Sequence, residues 1–126
     1  MNLEIGLRGQ AQTIVTSLNT AKAMGSGLLE VFATPAMVAL MEQAAVNALN
    51  LSVGQSSVGT SLSIVHTAAT PLGAKVSAMA ELVEIDRKRL VFAVEACDEI
   101  GQIGVGKHER FIIDVESFLV KAQNRK

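Results

Sequence analysis

One carboxylate stands out because it lies within an apolar run that has the spacing of a helix. Residues 36–42 are AMVALME, and Glu42 ends this run. The positions one helical turn away from it are Val38, Ala39, Ala45 and Val46. None of them is basic, so no helical ion pair is available. Because a carboxylate is costly to bury without a partner, Glu42 needs either solvent or a partner from elsewhere in the fold.

Two more residues have side chains that could work with this carboxylate. Thr34 lies at the start of the same predicted helix, and His66, one of two histidines, lies in the next apolar segment. An imidazole titrates near neutral pH and can serve as a base. A hydroxyl can hold water or attack directly if a base is within hydrogen-bond reach. These three residues are the candidate catalytic group.

Each of the three residues also has a purely structural interpretation. Thr34 fits the N-cap position, with Pro35 as the first helical residue. Glu42 could reach solvent beside Gln43, and His66 could be a hydrogen-bonded histidine of the core. Local sequence alone does not decide between these interpretations.

The composition predicts one folded domain of 126 residues. Hydrophobic residues make up 49% of the chain and charged residues 18%, which excludes disorder. A net charge of -1 and the absence of Trp and Tyr argue against nucleic-acid binding. Two histidines and one cysteine without paired spacing suggest no metal site. Because the sequence shows no secretory signal and no membrane-spanning segment, we expect a soluble cytoplasmic protein that does not bind a membrane. We expect Cys97 to be a buried structural thiol.

The order of elements predicts the fold. A first strand over Gln12–Leu18 and a loop over Asn19–Glu30 precede the helix, and four further strands follow it. We predict those strands at Val58–Thr67, Lys75–Glu84, Leu90–Cys97 and Ile103–Val115, with a charged tail that frays from Lys121. Long antiparallel strands with one dry face can curl around one nearly apolar helix. This is the α+β hotdog fold, whose small core favours pairing of two subunits.

Five segments of the sequence resemble the fluoroacetyl-coenzyme A thioesterase family. They are Val31–Thr34, Met37–Glu42, Ser57–Thr60, His66–Pro71 and Gly106–Arg110. The similarity extends from about Val31 to Phe118, and the string around His66 is its most specific part. It implies a hotdog enzyme that hydrolyses a short-chain acyl-CoA thioester, as a homodimer or as a tetramer of two such dimers. No cofactor is implied, because coenzyme A belongs to the substrate.

The resemblance also implies roles for individual residues. Thr34, Glu42 and His66 correspond to the catalytic group of the family, and Gly59 and Arg110 correspond to residues that hold substrate. Phe32 is the only ring near the loop before the helix and is a third candidate for substrate contact. At Leu28 and Leu29 the sequence departs from the family, whose fluoroacetyl-specific member carries aromatic side chains in this loop.

Other functions and sites remain open at this stage. A hotdog enoyl-CoA hydratase and an acyl-CoA binding module without hydrolysis are the alternative functions. His108 alternates with charged neighbours and is predicted to lie on a strand surface. The basic segment Arg87–Arg89 has two interpretations. It is either a solvated turn or a positively charged site that attracts the phosphates of coenzyme A.

Overall fold

The computed structural model describes residues 3–126 and shows one five-stranded antiparallel sheet with a long helix on one face. The strands are β1 (Arg8–Ile14), β2 (Gln55–His66), β3 (Lys75–Asp86), β4 (Arg89–Cys97) and β5 (Gln102–Asp114). The helices are α1 (Ala21–Met24), α2 (Thr34–Asn47) and α3 (Val115–Gln123). The strand order across the sheet is β1-β3-β4-β5-β2. This is the predicted hotdog arrangement, with α2 as its central helix.

The core lies between α2 and the concave face of the sheet. Five side chains of α2 are buried, namely Met37, Leu40, Met41, Ala44 and Ala45. Alternate residues of β3 face them, and Val76, Ala78, Ala80 and Leu82 are all buried. Small residues on both elements let the helix approach the sheet closely. The backbone of α2 lies so near Gly9 in β1 that a β-carbon there would collide with Ala44 and Ala48.

The four later strands start and end within three residues of the predicted positions, whereas the first strand does not. β1 spans Arg8–Ile14 and so ends four residues before the predicted Leu18. Asn19 explains the early end, because its side chain accepts from the Thr16 amide at 2.8 Å and donates to the Ile14 carbonyl at 3.0 Å. These bonds favour a turn over a continued ladder.

The predicted loop over Asn19–Glu30 contains the short helix α1. The Thr20 hydroxyl caps it by accepting from the Ala23 amide at 3.1 Å. Gly25 ends it in the left-handed conformation, with φ of 73°. The loop is therefore folded back on itself and leaves Leu28 and Leu29 exposed.

Two predictions near the ends of later elements were wrong. Lys121 does not begin a frayed tail, because it lies within α3, which continues to Gln123 and whose N-cap Asp114 accepts from the Ser117 amide. Cys97 is only partly buried because it occupies the last position of β4. Its pKa is raised by burial and by the nearby carboxylates Glu95 and Asp98, which does not favour a reactive thiolate.

Among residues 3–126, β2 forms one edge of the sheet and pairs only with β5. Its twelve residues, QSSVGTSLSIVH, include no proline, lysine, arginine or carboxylate. Edge strands usually carry such residues because they prevent pairing with another chain. The outer edge of β2 is therefore long and unprotected.

Candidate active site

Thr34 and His66 form a direct hydrogen bond, with 2.7 Å between Oγ1 and Nδ1. Thr34 is the first residue of α2, and His66 is the last residue of β2. The N-cap residue is Ala33, and no side chain caps this helix. The interpretation of Thr34 as a simple N-cap is therefore wrong, because its hydroxyl bonds to the imidazole.

This pair lines a cavity of about 280 Å³ at the amino end of α2. The cavity is also lined by Phe32, by residues 67–69, and by Ala21 and Ser26 of the loop that precedes α2. The first amides of a helix have no intrahelical acceptor, so this end of α2 can stabilise negative charge. Phe32 is 1% exposed and also packs into the core, so it supports the cavity from below.

Glu42 finds its partner on β5. Its Oε2 accepts from Nη1 of Arg110 at 3.2 Å, and the Glu42 side chain remains 40% exposed. Glu42 lines a second cavity, of about 270 Å³, together with Gly59 and His108. The charge that lacked a partner in the local sequence is thus paired, and part of the carboxylate faces this cavity.

Arg110 is fixed in place by several hydrogen bonds besides the one to Glu42. Nε donates to the Ser57 hydroxyl at 2.8 Å, and Nη2 donates to the Ser57 carbonyl at 2.9 Å. Nη1 also donates to Nε2 of His108 at 3.1 Å. Burial lowers the pKa of Arg110, while the Glu42 charge acts in the opposite direction. The guanidinium therefore holds the carboxylate in a fixed orientation.

His108 is buried, so the prediction of a surface position on the strand was wrong. It is 2% exposed, and its Nδ1 lies 2.9 Å from the Ser61 carbonyl. Because a carbonyl only accepts, Nδ1 carries the hydrogen, and Nε2 is free to accept from Arg110. Burial lowers the pKa of His108, which favours this neutral form.

The buried neutral His108 predicts a pH-dependent stability. Its pKa is lower in the folded than in the unfolded protein, so the unfolded chain binds the extra proton first. Its contribution is present above pH about 6.5 and decreases as the pH falls toward the folded pKa. Urea unfolding at pH 7.5 and 5.5 should show a smaller loss of stability in His108→Asn than in the unmodified protein. An equal loss in both proteins would contradict this role.

Gly59 provides the space in which Glu42 lies. A β-carbon at Gly59 would lie 2.6 Å from Oε2 of Glu42 and 3.1 Å from Cε1 of His108. Any larger residue must displace the carboxylate. Only glycine allows this close approach between β2 and α2.

If Glu42 takes part in the thioester hydrolysis that the resemblance implies, we expect Gly59→Ala to lower kcat/KM by at least about tenfold, since small displacements of reacting groups are costly. Gly101→Ala is the matched control, because a β-carbon there meets no atom within 4 Å. The measurement is steady-state thiol release together with a melting curve. Equal kcat/KM for the two variants would show that the Glu42 position is not required.

The structure brings the three candidate catalytic residues into two separate clusters. Thr34 and Glu42 both lie on α2, eight residues apart, which corresponds to about 12 Å along the helix axis. We call Thr34 and His66 the hydroxyl cluster, and Glu42, Gly59 and Arg110 the carboxylate cluster. Within one protomer the carboxylate cluster does not reach the hydroxyl cluster.

Two supporting residues of the carboxylate cluster were not found from the sequence, namely Ser57 and His108. The available signal was the alternation along β5, which places His108 on the same sheet face as Arg110. Ser57 pairs with Ile112, two residues beyond Arg110, and only the strand register shows this.

Among residues 3–126, no group of three His, Cys, Asp or Glu side chains could hold a metal ion. The same part of the chain contains no helix long and apolar enough to cross a membrane.

The chain is similar to known proteins in both sequence and structure. The model of the fluoroacetyl-CoA-specific thioesterase family matches residues 15–116. The fluoroacetyl-CoA thioesterase of Streptantibioticus cattleyicolor is 45% identical over 98 residues, covering 76% of this chain and 70% of that protein.

Solved structures show the same similarity. A structure of the fluoroacetyl-CoA thioesterase FlK superimposes with a TM-score of 0.94 at 36% identity, covering 100% of this chain and 99% of the other. A thioesterase superfamily member from Thermus thermophilus gives a TM-score of 0.87 at 28% identity, covering 98% and 96% of the two chains. The chain therefore belongs to the fluoroacetyl-CoA-specific thioesterase family.

Proposed function

We propose that the protein is a cytoplasmic, homodimeric thioester hydrolase that converts a short-chain acyl-CoA into a free acid and coenzyme A. The observation that carries this proposal is the 2.7 Å bond between the Thr34 hydroxyl and His66 at the amino end of α2. This bond supports the proposal because a hydroxyl that can act as nucleophile and an imidazole that can act as base line one cavity at a helix terminus. Family membership supports the same chemistry. A single cysteine, which cannot form an intrachain disulfide, is compatible with a reducing compartment.

The dimer that we propose forms through the outer edge of β2. An antiparallel pairing of two β2 strands centred near Leu62 aligns His66 of one copy with the partner's Gly59. Adjacent strands lie about 4.8 Å apart. Thr34 lies over His66, and the partner's Glu42 lies over the partner's Gly59. Each complete site then combines the hydroxyl cluster of one copy with the carboxylate cluster of the other.

The first half of the proposed reaction releases coenzyme A. The Thr34 hydroxyl oxygen attacks the thioester carbonyl carbon, and its proton passes to Nδ1 of His66. Amides at the start of α2 stabilise the negative charge on the carbonyl oxygen. The carbon–sulfur bond then breaks, and the thiolate takes the proton from His66. The products are free coenzyme A and an ester on Thr34.

The second half returns the enzyme to its starting state. The partner's Glu42, held by the partner's Arg110, accepts a proton from a water molecule whose oxygen attacks the ester carbonyl. The Thr34 oxygen leaves and takes back, through His66, the proton that the partner's Glu42 accepted, and the acid is released. Leu28 and Leu29, exposed in the loop beside the cavity, replace aromatic residues of the fluoroacetyl-specific enzyme. We therefore propose an unfluorinated short acyl group.

The test is release of free thiol from acetyl-, propionyl-, butyryl- and fluoroacetyl-CoA. We expect turnover of at least one unfluorinated substrate by a protein that sediments as a dimer. A folded dimer that binds these substrates without releasing thiol would instead indicate a binding module. Loss of enoyl absorbance with an enoyl-CoA, in the absence of thiol release, would indicate a hydratase.

A further inference from the structure

Thr70 is a fully buried polar residue that the proposed reaction does not use. It lies four residues after His66, and its exposed fraction is 0%. Its hydroxyl donates to Oδ2 of Asp98 at 2.8 Å, and its carbonyl accepts from the Phe32 amide at 2.9 Å. Buried polar groups are normally bonded, but these two bonds join segments that are distant in the sequence. Thr70 therefore connects the segment after β2 with the segment before α2 and with the turn between β4 and β5.

The carbonyl bond of Thr70 closes a short ring that contains the hydroxyl cluster. Phe32 lies two residues before Thr34, so from Thr34 the ring follows the backbone to the Phe32 amide. It crosses the hydrogen bond to the Thr70 carbonyl and returns along the chain to His66. The bond of 2.7 Å between His66 and Thr34 completes it. A displacement of Thr70 in so short a ring changes the geometry of the reacting pair.

Asp98 fixes the position of Thr70 in this ring. Its Oδ1 accepts from the amides of Ile100 at 2.9 Å and Gly101 at 3.2 Å, so the turn itself holds the carboxylate. The bond from the Thr70 hydroxyl is the main cause that lowers the pKa of Asp98, and the two amides act in the same direction. The carboxylate is therefore charged at neutral pH. Hydrogen bonds to a charged oxygen are stronger than those between neutral groups.

We propose that Thr70 and Asp98 are positioning residues, which hold the Thr34 hydroxyl and His66 at the distance that attack requires. The inference rests on the proposed function, in which this pair reacts with the thioester. The cavity wall at residues 67–69 lies between His66 and Thr70 in the chain, so the same anchor holds it. Both residues act through the backbone and not through contact with the reacting atoms.

Kinetics of Thr70→Val test the effect on the reaction, because valine keeps the shape of threonine and removes the hydroxyl. We expect kcat for thiol release to fall about tenfold, since small displacements of reacting groups are costly. KM should stay nearly unchanged, because the loss is in the transition state. Thr70→Ser keeps the hydroxyl and should restore kcat. A normal kcat in Thr70→Val would overturn the proposal.

Two further variants separate this effect from a general loss of structure. Asp98→Ala removes the acceptor instead of the donor, at a partly exposed turn, and should lower kcat by the same factor. The double variant with Thr70→Val should be no slower than either single variant, because both changes break one bond. Thr13→Val is the matched control, since Thr13 is half-buried on β1 and its hydroxyl bonds to the carbonyl of the next residue. Its kcat should be unchanged.

A spectrum of the imidazole nitrogens tests the geometry without any substrate. In protein with ¹⁵N-labelled histidine, comparison with His66→Ala identifies the signals of the His66 ring. We expect Thr70→Val and Asp98→Ala to move the Nδ1 signal, because its bond to Thr34 changes, and Thr13→Val to leave it in place. An unmoved signal in the first two variants would overturn the inference, whether or not the protein hydrolyses thioesters. A moved signal in a protein that releases no thiol would support the anchor and overturn the proposed function.

Discussion

A His66→Ala variant is expected to lose at least about 10²-fold in kcat, the usual loss for a general base. The reason is geometric: Nδ1 of His66 lies 2.7 Å from the Thr34 hydroxyl and is the nearest base to it. Without the imidazole the hydroxyl proton has no acceptor at the moment of attack. The measurement is the initial rate of thiol release under saturating substrate.

The Thr34 hydroxyl should behave as one unit with His66. Thr34→Val should therefore cost about as much as His66→Ala, and the double variant should be no worse than either single variant. Val53→Ala is the control, since Val53 lies outside β2 and is fully exposed. Additive losses in the double variant would show that the hydroxyl and the imidazole act in separate steps.

Glu42→Gln is expected to lower kcat by at least about 10²-fold through a different step, since the base that activates water is lost. The amide oxygen can still accept from Arg110, so the local packing is kept. Hydrolysis of the ester on Thr34 becomes slow while its formation continues. Mass spectrometry of the intact protein after mixing with acetyl-CoA should then show a mass increase of one acetyl group per chain.

Glu109→Gln is the matched control for this charge change. Glu109 lies between His108 and Arg110 on β5, but its side chain pairs with Nε of Arg89 at 2.8 Å. It should show a normal rate and no accumulated ester. A slow Glu42→Gln enzyme without the added mass would place Glu42 in the first step rather than in the second.

The fold could be predicted because the residue patterns that specify its helix and strands are local in the sequence. One nearly apolar helix, marked by Pro35, and four strands separated by turn residues have few ways to bury each other. The strand Lys75–Asp86 shows this best, since its apolar residues alternate with polar ones and so specify one buried face. The first strand was misplaced because Val15 and Leu18 extend the apolar pattern past the turn that Asn19 stabilises.

The site could be predicted in part, because some of its contacts are not local. The apolar neighbours of Glu42 in the sequence showed that its carboxylate needs a partner. That partner, Arg110, is 68 residues away, and only the sheet register brings it close. Thr34 has the residue type and position of an N-cap, so local sequence could not show that its hydroxyl bonds to His66. The buried position of His108 was hidden by the charged residues on either side of it.

We propose that each active site combines Thr34 and His66 of one copy with Glu42 of the other. Mixing unfolded His66→Ala and Glu42→Gln chains and refolding them together tests it most directly. A heterodimer would contain one site with both changes and one site with neither. With random pairing in a twofold dimer, about a quarter of the unmodified activity should return, although each variant alone is nearly inactive. Recovery of no activity from a mixture that contains heterodimers would contradict the composite site.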